Sequence, residues 1–402
     1  MRAAPDPGVL AAGLADPAFR SSSLAWLEGL RTTTGYRLWR DAPPHVLSTS
    51  FAVFLRELHG ALPAADSPES VALADQLLAW RDPASGLFDA GLRTEDLGPR
   101  HDRAYVTEQQ THFALQALRL LGRHLPAPPF LLERWSTRDS LHASLDGLDW
   151  GDPWRESNRV MFALYLLEHE GTRTGDPLWR ERIADGLDWL RLRQDAATGL
   201  WGRRPGRQIH AAVYGAYHYL FFFLRWEGAF PRAERLLGHT RGLQTGEGFF
   251  AHIRGGGACE DYDCVDVLVK LGGETDRPAL LRCAKAVLAA RNADGGFPWA
   301  RPVDGASAFL LGNFKGQLSA RENMRLYLQR LLDLMHRQRR WRYSGLATLD
   351  CPMAESDIWS TWFRTLILAE IDDLHLHSGT DWGFRSFPSL GWHISSKDLT
   401  RP

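Results

Sequence analysis

Cysteine is scarce in this sequence. Four residues in 402, Cys259, Cys264, Cys283 and Cys351, include no CxxC pair. That is too few for a disulfide scaffold and suits a reducing, cytoplasmic setting. Excess charge of either sign is also missing, with Lys+Arg at 47 against Asp+Glu at 48. There is no basic field to hold nucleic acid and no acidic tail to imitate it. No apolar run is long enough to span a membrane. The greasiest, 213–224, is interrupted by His218 and falls short of the roughly 18 residues required. The opening residues 1–7 lack the apolar core of a secretory signal. Runs of β-branched residues are few and Asn-Gly turns absent, which argues against sheet. No Walker loop or GxGxxG stands between a strand and a helix, which disfavours nucleotide chemistry. What remains is a globular, helical chain without a transmembrane segment, still compatible with peripheral contact at a membrane. Its aromatic load is heavy: 16 Trp, 19 Phe and 9 Tyr.

A phrase recurs along the chain. An amphipathic helical segment runs into a polar turn, then glycine, then an aromatic. It ends at Gly86-Leu87-Phe88, at Gly199-Leu200-Trp201 and at Gly295-Gly296-Phe297, with weaker copies near Gly248-Phe249, Leu145–Trp150 and His336–Tyr343. Copies are spaced by roughly 45–60 residues, room for two helices and their connections. The more apolar second helices are read over about 104–121, 153–170, 208–226, 260–271 and 356–371. The more charged segments lie near 67–80, 176–193, 276–291 and 321–338. Helices polar on one face belong outside and helices apolar nearly all round belong inside. The expected fold is all-α: an α/α toroid of about six hairpins over 46–375. A Pro-rich arm (1–45) precedes it and a tail (376–402) packs on it. The same period would permit an open solenoid. The stretch 299–319 is a poor helix where an inner one is due.

The Gln194…Gly199-Leu200-Trp201 and Arg291…Gly295-Gly296-Phe297 turns resemble the QW-type repeat of the squalene-cyclase and protein-prenyltransferase superfamily. The resemblance spans roughly 67–375. Asp261-Tyr262-Asp263-Cys264 is similar to that superfamily's Asp-x-Asp-Asp acid motif, with Cys in the last place. Asp263-Cys264 followed by Asp266 is a loose version of the oxidosqualene form. The prenyltransferase branch holds zinc with Asp, Cys and a later His. No Asp-x-Cys stands here and no partnered His follows on the next inner helix, so no metal set is expected. The resemblance implies protonation-initiated cyclisation or isomerisation of a prenyl or polyprenyl substrate. No cofactor is called for, and Mg²⁺ would enter only with a diphosphate substrate.

If the inner helices point their first turns into one mouth, several side chains converge there. Asp263 is the expected general acid, tuned by Asp261 and Asp266, with Cys264 as a weak hydrogen-bonding neighbour. Crowded carboxylates repel, and one that loses water has its pKa raised, as a strong acid needs. His112, Asn158, Arg159, His210, Tyr214, Asp357, Trp359, Trp362 and Arg364 are the expected substrate-binding groups. His210 or Tyr214 could relay a proton, and the tryptophans could offer π faces to cationic carbon. Each has a plainer reading. Asp261 could be no more than a helix cap, His112 a satisfied core residue, and Trp359 and Trp362 packing. Arg159 and Arg364 either pair with the acids or bind an anionic substrate group. Two other functions use the same residues. A glycan-acting toroid would pair Asp261 or Asp263 with Asp357 as acid and base. A non-catalytic toroid would hold a peptide or lipid in its cavity.

Overall fold

The computed structural model describes residues 5–98, 102–251, 255–301 and 340–394. The outer helix expected over 321–338 and most of the stretch 299–319 lie outside the described residues. Within the described residues the protein is mostly helical, with fourteen α-helices and two short antiparallel strand pairs. Residues 1–45, expected as an arm, carry α1 (Pro7–Ala15), α2 (Pro17–Glu28) and a hairpin of β1 (Arg31–Thr32) with β2 (Gly35–Tyr36).

Six helices are buried over most of their length: α3 (Val46–Leu58), α5 (Arg103–Leu120), α8 (Pro153–Thr174), α10 (Ile209–Glu227), α12 (Ala258–Leu271) and α14 (Ile358–Ile371). Their packing runs in chain order. α3 lies on α5, α5 on α8, α8 on α10, α10 on α12 and α12 on α14, and α14 returns to α3. Helices with one buried stripe lie against them: α4 (Pro68–Leu78) on α3, α9 (Pro177–Arg193) on α8, α11 (Ala233–Gly242) on α12 and α13 (Arg277–Leu288) on α14. Two short helices, α6 (Pro129–Arg134) and α7 (Arg138–Asp146), fill the connection between α5 and α8. The strands β3 (Arg340–Arg342) and β4 (Asp350–Pro352) pair ahead of α14. No helix among the described residues is long and apolar enough to cross a membrane.

The recurring turn has one set of bonds at its Asp82 and Asp195 copies. Asp195 accepts from the amides of Ala197 (3.1 Å) and Thr198 (2.7 Å), and Asp82 accepts from Ala84 and Ser85, both at 3.1 Å. Gly199, Gly86 and Gly295 follow in the left-handed region at φ 71°, 77° and 99°. A side chain there is disfavoured sterically, and a Cβ on Gly199 would also stand 2.9 Å from Arg235. Gln194 ties the turn down. It donates to the carbonyls of Gly199 (2.9 Å) and Pro231 (2.8 Å) and accepts from Arg232 (2.7 Å). Gln244 repeats this with Gly248 and Ala279. The aromatic closes the unit: Trp201 is buried, and its indole donates to the Leu190 carbonyl at 2.6 Å. Burying such a side chain contributes about 1.5–3 kcal/mol.

The sequence reading places no helix at α3, and the reason is local. Ser48, Thr49 and Ser50 are weak helix formers that compete for backbone bonds. Here Thr49 and Ser50 turn their hydroxyls back onto the carbonyls of His45 (3.0 Å) and Val46 (2.8 Å). The phenylalanines that follow, Phe51 and Phe54, are fully buried and hold the helix in place.

Candidate functional site

The first turns of the buried helices lie at a common end. Arg155 on α8 reaches Asp102 at the start of α5 (3.2 Å), and Arg159 on α8 grips Glu108 on α5 through two bonds of 3.0 and 3.1 Å. Tyr214 on α10 packs its ring 5.1 Å from that of Trp154 on α8 and donates to the Phe250 carbonyl at 3.3 Å, just ahead of α12. The acidic turn of α12 completes this end.

Within that turn the acids separate by helix face. Residues three apart share a face, so Asp261 and Cys264 point one way while Asp263 and Asp266 point another. Asp261 is fully buried and held on all sides. Its carboxylate accepts from the amides of Phe250 (2.7 Å), Ala251 (2.9 Å) and Gly257 (3.0 Å), and Arg364 stands at 3.6 Å. The glycine run exists for this wrap. Gly256 has φ 81°, and a Cβ on it would meet Asp261 at 2.6 Å and Phe249 at 2.8 Å. Arg364 is equally committed, donating to the carbonyls of Pro298 (2.9 Å) and Trp299 (2.8 Å). Cys264 is buried on the α13 side, where Cys283 is among the groups acting on its thiol. Asp261 and Arg364 therefore anchor the backbone at Phe250, Ala251 and Gly257 and at Pro298 and Trp299.

Asp263 is different. It is 1% exposed, and its Oδ2 has no hydrogen-bond partner among the described residues. Burial drives its carboxyl well above the usual range, and the charges of Glu260 and Asp266 push the same way. A hydrogen-bonding interaction with Trp154 works against them. The phenols of Tyr214 and Tyr217 on α10 are also pushed up, first by burial and then by nearby groups that include Asp263. Burial in this aromatic setting thus favours the uncharged form of Asp263, the direction a general acid requires. Glu260 is the acid that the sequence reading passed over. It is fully buried, with the Cys259 thiol 3.6 Å from its Oε2. Its spacing of three from Asp263 was the available signal.

The remaining predicted residues spread around this end. Asn158 is half-buried and donates to the Trp154 carbonyl at 3.0 Å. Arg159 is paired with Glu108, the acid-pairing alternative. Burial lowers His210 to about 4, so it is neutral at ordinary pH. His112 is fully buried between α5 and α8 against Phe113, Phe162 and Tyr165. Its Nε2 lies 2.6 Å from the Gln116 amide. Asp357 caps α14 by accepting from the Ser360 amide at 2.8 Å, and burial raises its carboxyl to about 7. No hydrogen bond or ion pair joins it to Asp261 or Asp263 among the described residues.

Trp359 and Trp362 lie 5.7 Å apart between α14 and α3, Trp362 stacked on Phe51 and Trp359 tilted against it. Over them sits Tyr343, 4.6 Å from Trp359 and 5.2 Å from Phe51, delivered by the loop between β3 and β4. From the opposite end the C-terminal segment inserts Arg385, whose guanidinium lies 3.7 Å over Phe54 and 4.9 Å over Trp362 and donates to Gln116 at 2.6 Å. Tyr343 closes the weak repeat copy at His336–Tyr343, whereas Arg385 arrives on a segment outside the repeat.

No group of three or more His, Cys, Asp or Glu among the described residues is arranged to hold a metal. An open pocket of about 410 Å³, lined by Trp39, Asp96, Arg340 and Asp350 among others, contains none of the predicted site residues. Compared with known proteins, the chain matches no family model, and no curated protein matches it.

Proposed function

We propose that the order of helix contacts, returning from α14 to α3, is that of an α/α toroid, and that the protein is a terpene-cyclase-like enzyme. It would act by protonation-initiated cyclisation or isomerisation of a prenyl or polyprenyl substrate, with Asp263 as the acid. One observation carries the reading: Asp263 is a fully buried carboxyl with an oxygen left unpartnered among the described residues, and burial raises its pKa well above the usual range. The surrounding aromatics support the substrate class. Tyr214, Tyr217, Tyr262 and Trp154 lie on the Asp263 side, and Phe51, Phe113, Trp359, Trp362 and Phe363 pack between α3, α5 and α14. An aromatic face offered to a desolvated cation contributes about 0.5–2 kcal/mol.

In this scheme Asp263 gives its proton to a terminal alkene carbon, and the adjacent carbon becomes cationic. A second alkene of the same chain attacks it and closes a ring. Loss of a proton from a neighbouring carbon ends the sequence, so substrate and product are isomers. Asp263 is left as carboxylate and takes up a proton before the next turnover. The four buried thiols fit a reducing, cytoplasmic compartment.

The test is Asp263→Asn, assayed on linear polyprenyl substrates of several lengths with products separated by mass spectrometry. Loss of turnover by the roughly 10²–10⁴ of a general acid, with folding intact, is the expected result. Unchanged conversion in the variant, or a wild type that converts none of them, would reject the reading.

A further inference from the structure

The C-terminal segment reaches His112 through an unbroken run of hydrogen bonds. Arg385, 2% exposed, donates from Nη1 to Gln116 Oε1 at 2.6 Å and to the Leu390 carbonyl at 2.7 Å, and from Nε to Glu57 at 3.3 Å. The Ser389 hydroxyl donates to the same Gln116 oxygen at 2.7 Å. A guanidinium has no acceptor, so this end of the Gln116 amide is its oxygen and the other end its NH₂. That NH₂ stands 2.6 Å from His112 Nε2. An amide nitrogen only donates, so Nε2 carries the lone pair. Burial, and then the Arg385 charge, keeps the ring neutral. A neutral imidazole has one N–H, which here is on Nδ1.

The segment that sets this tautomer is firmly seated. The Gly383 amide donates to the Leu58 carbonyl at 2.9 Å, and a Cβ on Gly383 would collide with the Glu57 carbonyl. At the other end of the run His112 is fully buried, and its Nδ1 has no hydrogen-bond partner among the described residues. Arg385 Nη2 is unpartnered in the same way. Both orphans are donors, so what this network lacks is an acceptor. Native proteins leave few buried donors unmet without a reason. The His112 ring lies 4.9 Å from that of Phe113, which in turn meets Phe51 at 5.2 Å and Trp359 at 5.9 Å. His112 therefore borders the aromatic cluster between α3, α5 and α14.

We propose that the His112 Nδ1–H binds an oxygen of the substrate, and that the substrate is an oxygen-bearing polyprenyl chain, an alcohol, ether or carbonyl compound, in place of a pure hydrocarbon. Gln116 and Arg385 are positioning residues that hold the donor in this tautomer. A neutral N–H beside a guanidinium already paired with Glu57 suits a neutral oxygen. A diphosphate would need uncompensated cations. The proposal rests on the cavity taking a polyprenyl chain, and not on Asp263 being the acid.

Nitrogen-15 NMR of the full-length protein, labelled at histidine, tests the tautomer. His112→Phe identifies the His112 signals by their loss. The wild type is expected to carry the proton on Nδ1. Gln116→Glu sets a carboxylate against Nε2 and should move the proton there. Binding is then measured with linear polyprenyl methyl ethers, which accept but do not donate, and with the hydrocarbons of the same chain lengths. The wild type should prefer the ether by about fivefold, the worth of one net hydrogen bond. That preference should vanish in His112→Phe and in Gln116→Glu and persist in Asp263→Asn. A structural role for Gln116 alone would weaken both ligands alike and leave the preference. A wild-type proton on Nε2 would overturn the relay and the site with it. Equal binding of ether and hydrocarbon, or a preference that survives His112→Phe, would overturn the oxygen site and leave the acid assignment untouched. A wild type that binds neither ligand would reject the polyprenyl reading itself, and this proposal falls with it. If Gln116→Glu does not fold, the wild-type spectrum and His112→Phe decide both points.

Discussion

Asp261 and Asp263 stand two residues apart, yet their asparagine variants should behave in opposite ways. Asp261 accepts from three backbone amides and faces the buried Arg364 guanidinium. Asp261→Ala would leave three buried donors without a partner, at about 1–3 kcal/mol each. It would also break a buried ion pair, at about 3–5 kcal/mol. These terms do not simply add, but they rival the roughly 5–15 kcal/mol that holds a domain together, and little folded protein is expected. Asp261→Asn keeps the oxygen that serves Phe250 and Ala251. It sets an amide N–H₂ against Gly257 and Arg364, and roughly 3 kcal/mol should be lost through the unpaired guanidinium. Asp263→Asn removes no ion pair and puts an uncharged amide where burial already favours the uncharged carboxyl, so its stability should stay within about 1 kcal/mol of wild type. Urea unfolding followed by circular dichroism, with unchanged slope, measures both. If Asp261→Asn unfolds at the wild-type midpoint, the carboxylate is not the anchor of the glycine loop. Its expected role as the acid that tunes Asp263 would then return.

The repeated turn can be tested at Gln194. Gln194→Ala removes bonds to Gly199, Pro231 and Arg232, and at about 1 kcal/mol each a loss near 3 kcal/mol should appear as a lower Tm. Glu57 gives a pH signature. Burial outweighs the nearby Arg385 and raises its carboxyl from 4.5 to about 7. The folded protein therefore binds this proton more tightly than the unfolded chain. Its stabilisation is complete below 4.5 and is lost as pH rises to about 7. Unfolding across this range should show wild-type stability falling relative to Glu57→Gln. At Asp357, asparagine caps a helix nearly as well as aspartate, so Asp357→Asn should keep its turnover. A loss as large as that of Asp263→Asn would instead favour a paired-carboxylate reaction on glycans.

Most of the buried helices are legible because a single phrase announces them. Glycine with positive φ and a buried aromatic leave a mark that spacing alone reveals, so α5, α8, α10, α12 and α14 fall within a few residues of expectation. Helix α3 has no such phrase, and its Ser-Thr-Ser stretch hides it. The acidic turn is legible as a place but not as a division of labour. Helical periodicity already separates Asp261 and Cys264 from Asp263 and Asp266. Which face meets the backbone depends on the amides of Phe250, Ala251 and Gly257 being brought to the turn, a tertiary fact. Arg364 shows the same limit. A buried arginine needs partners, but two of its three are carbonyls of Pro298 and Trp299, which no side-chain pattern records. Arg385 lies outside every motif, and only packing brings it inward.

The central claim is that Asp263 starts a reaction by giving a proton to carbon. The most direct measurement is turnover of a linear polyprenyl substrate in D₂O, with the position of deuterium in the product found by NMR. The account predicts a cyclic or rearranged isomer carrying one deuterium at the carbon that was protonated, formed by the wild type and lost in Asp263→Asn. Product that forms without deuterium at that carbon, or equally well in the variant, would contradict it.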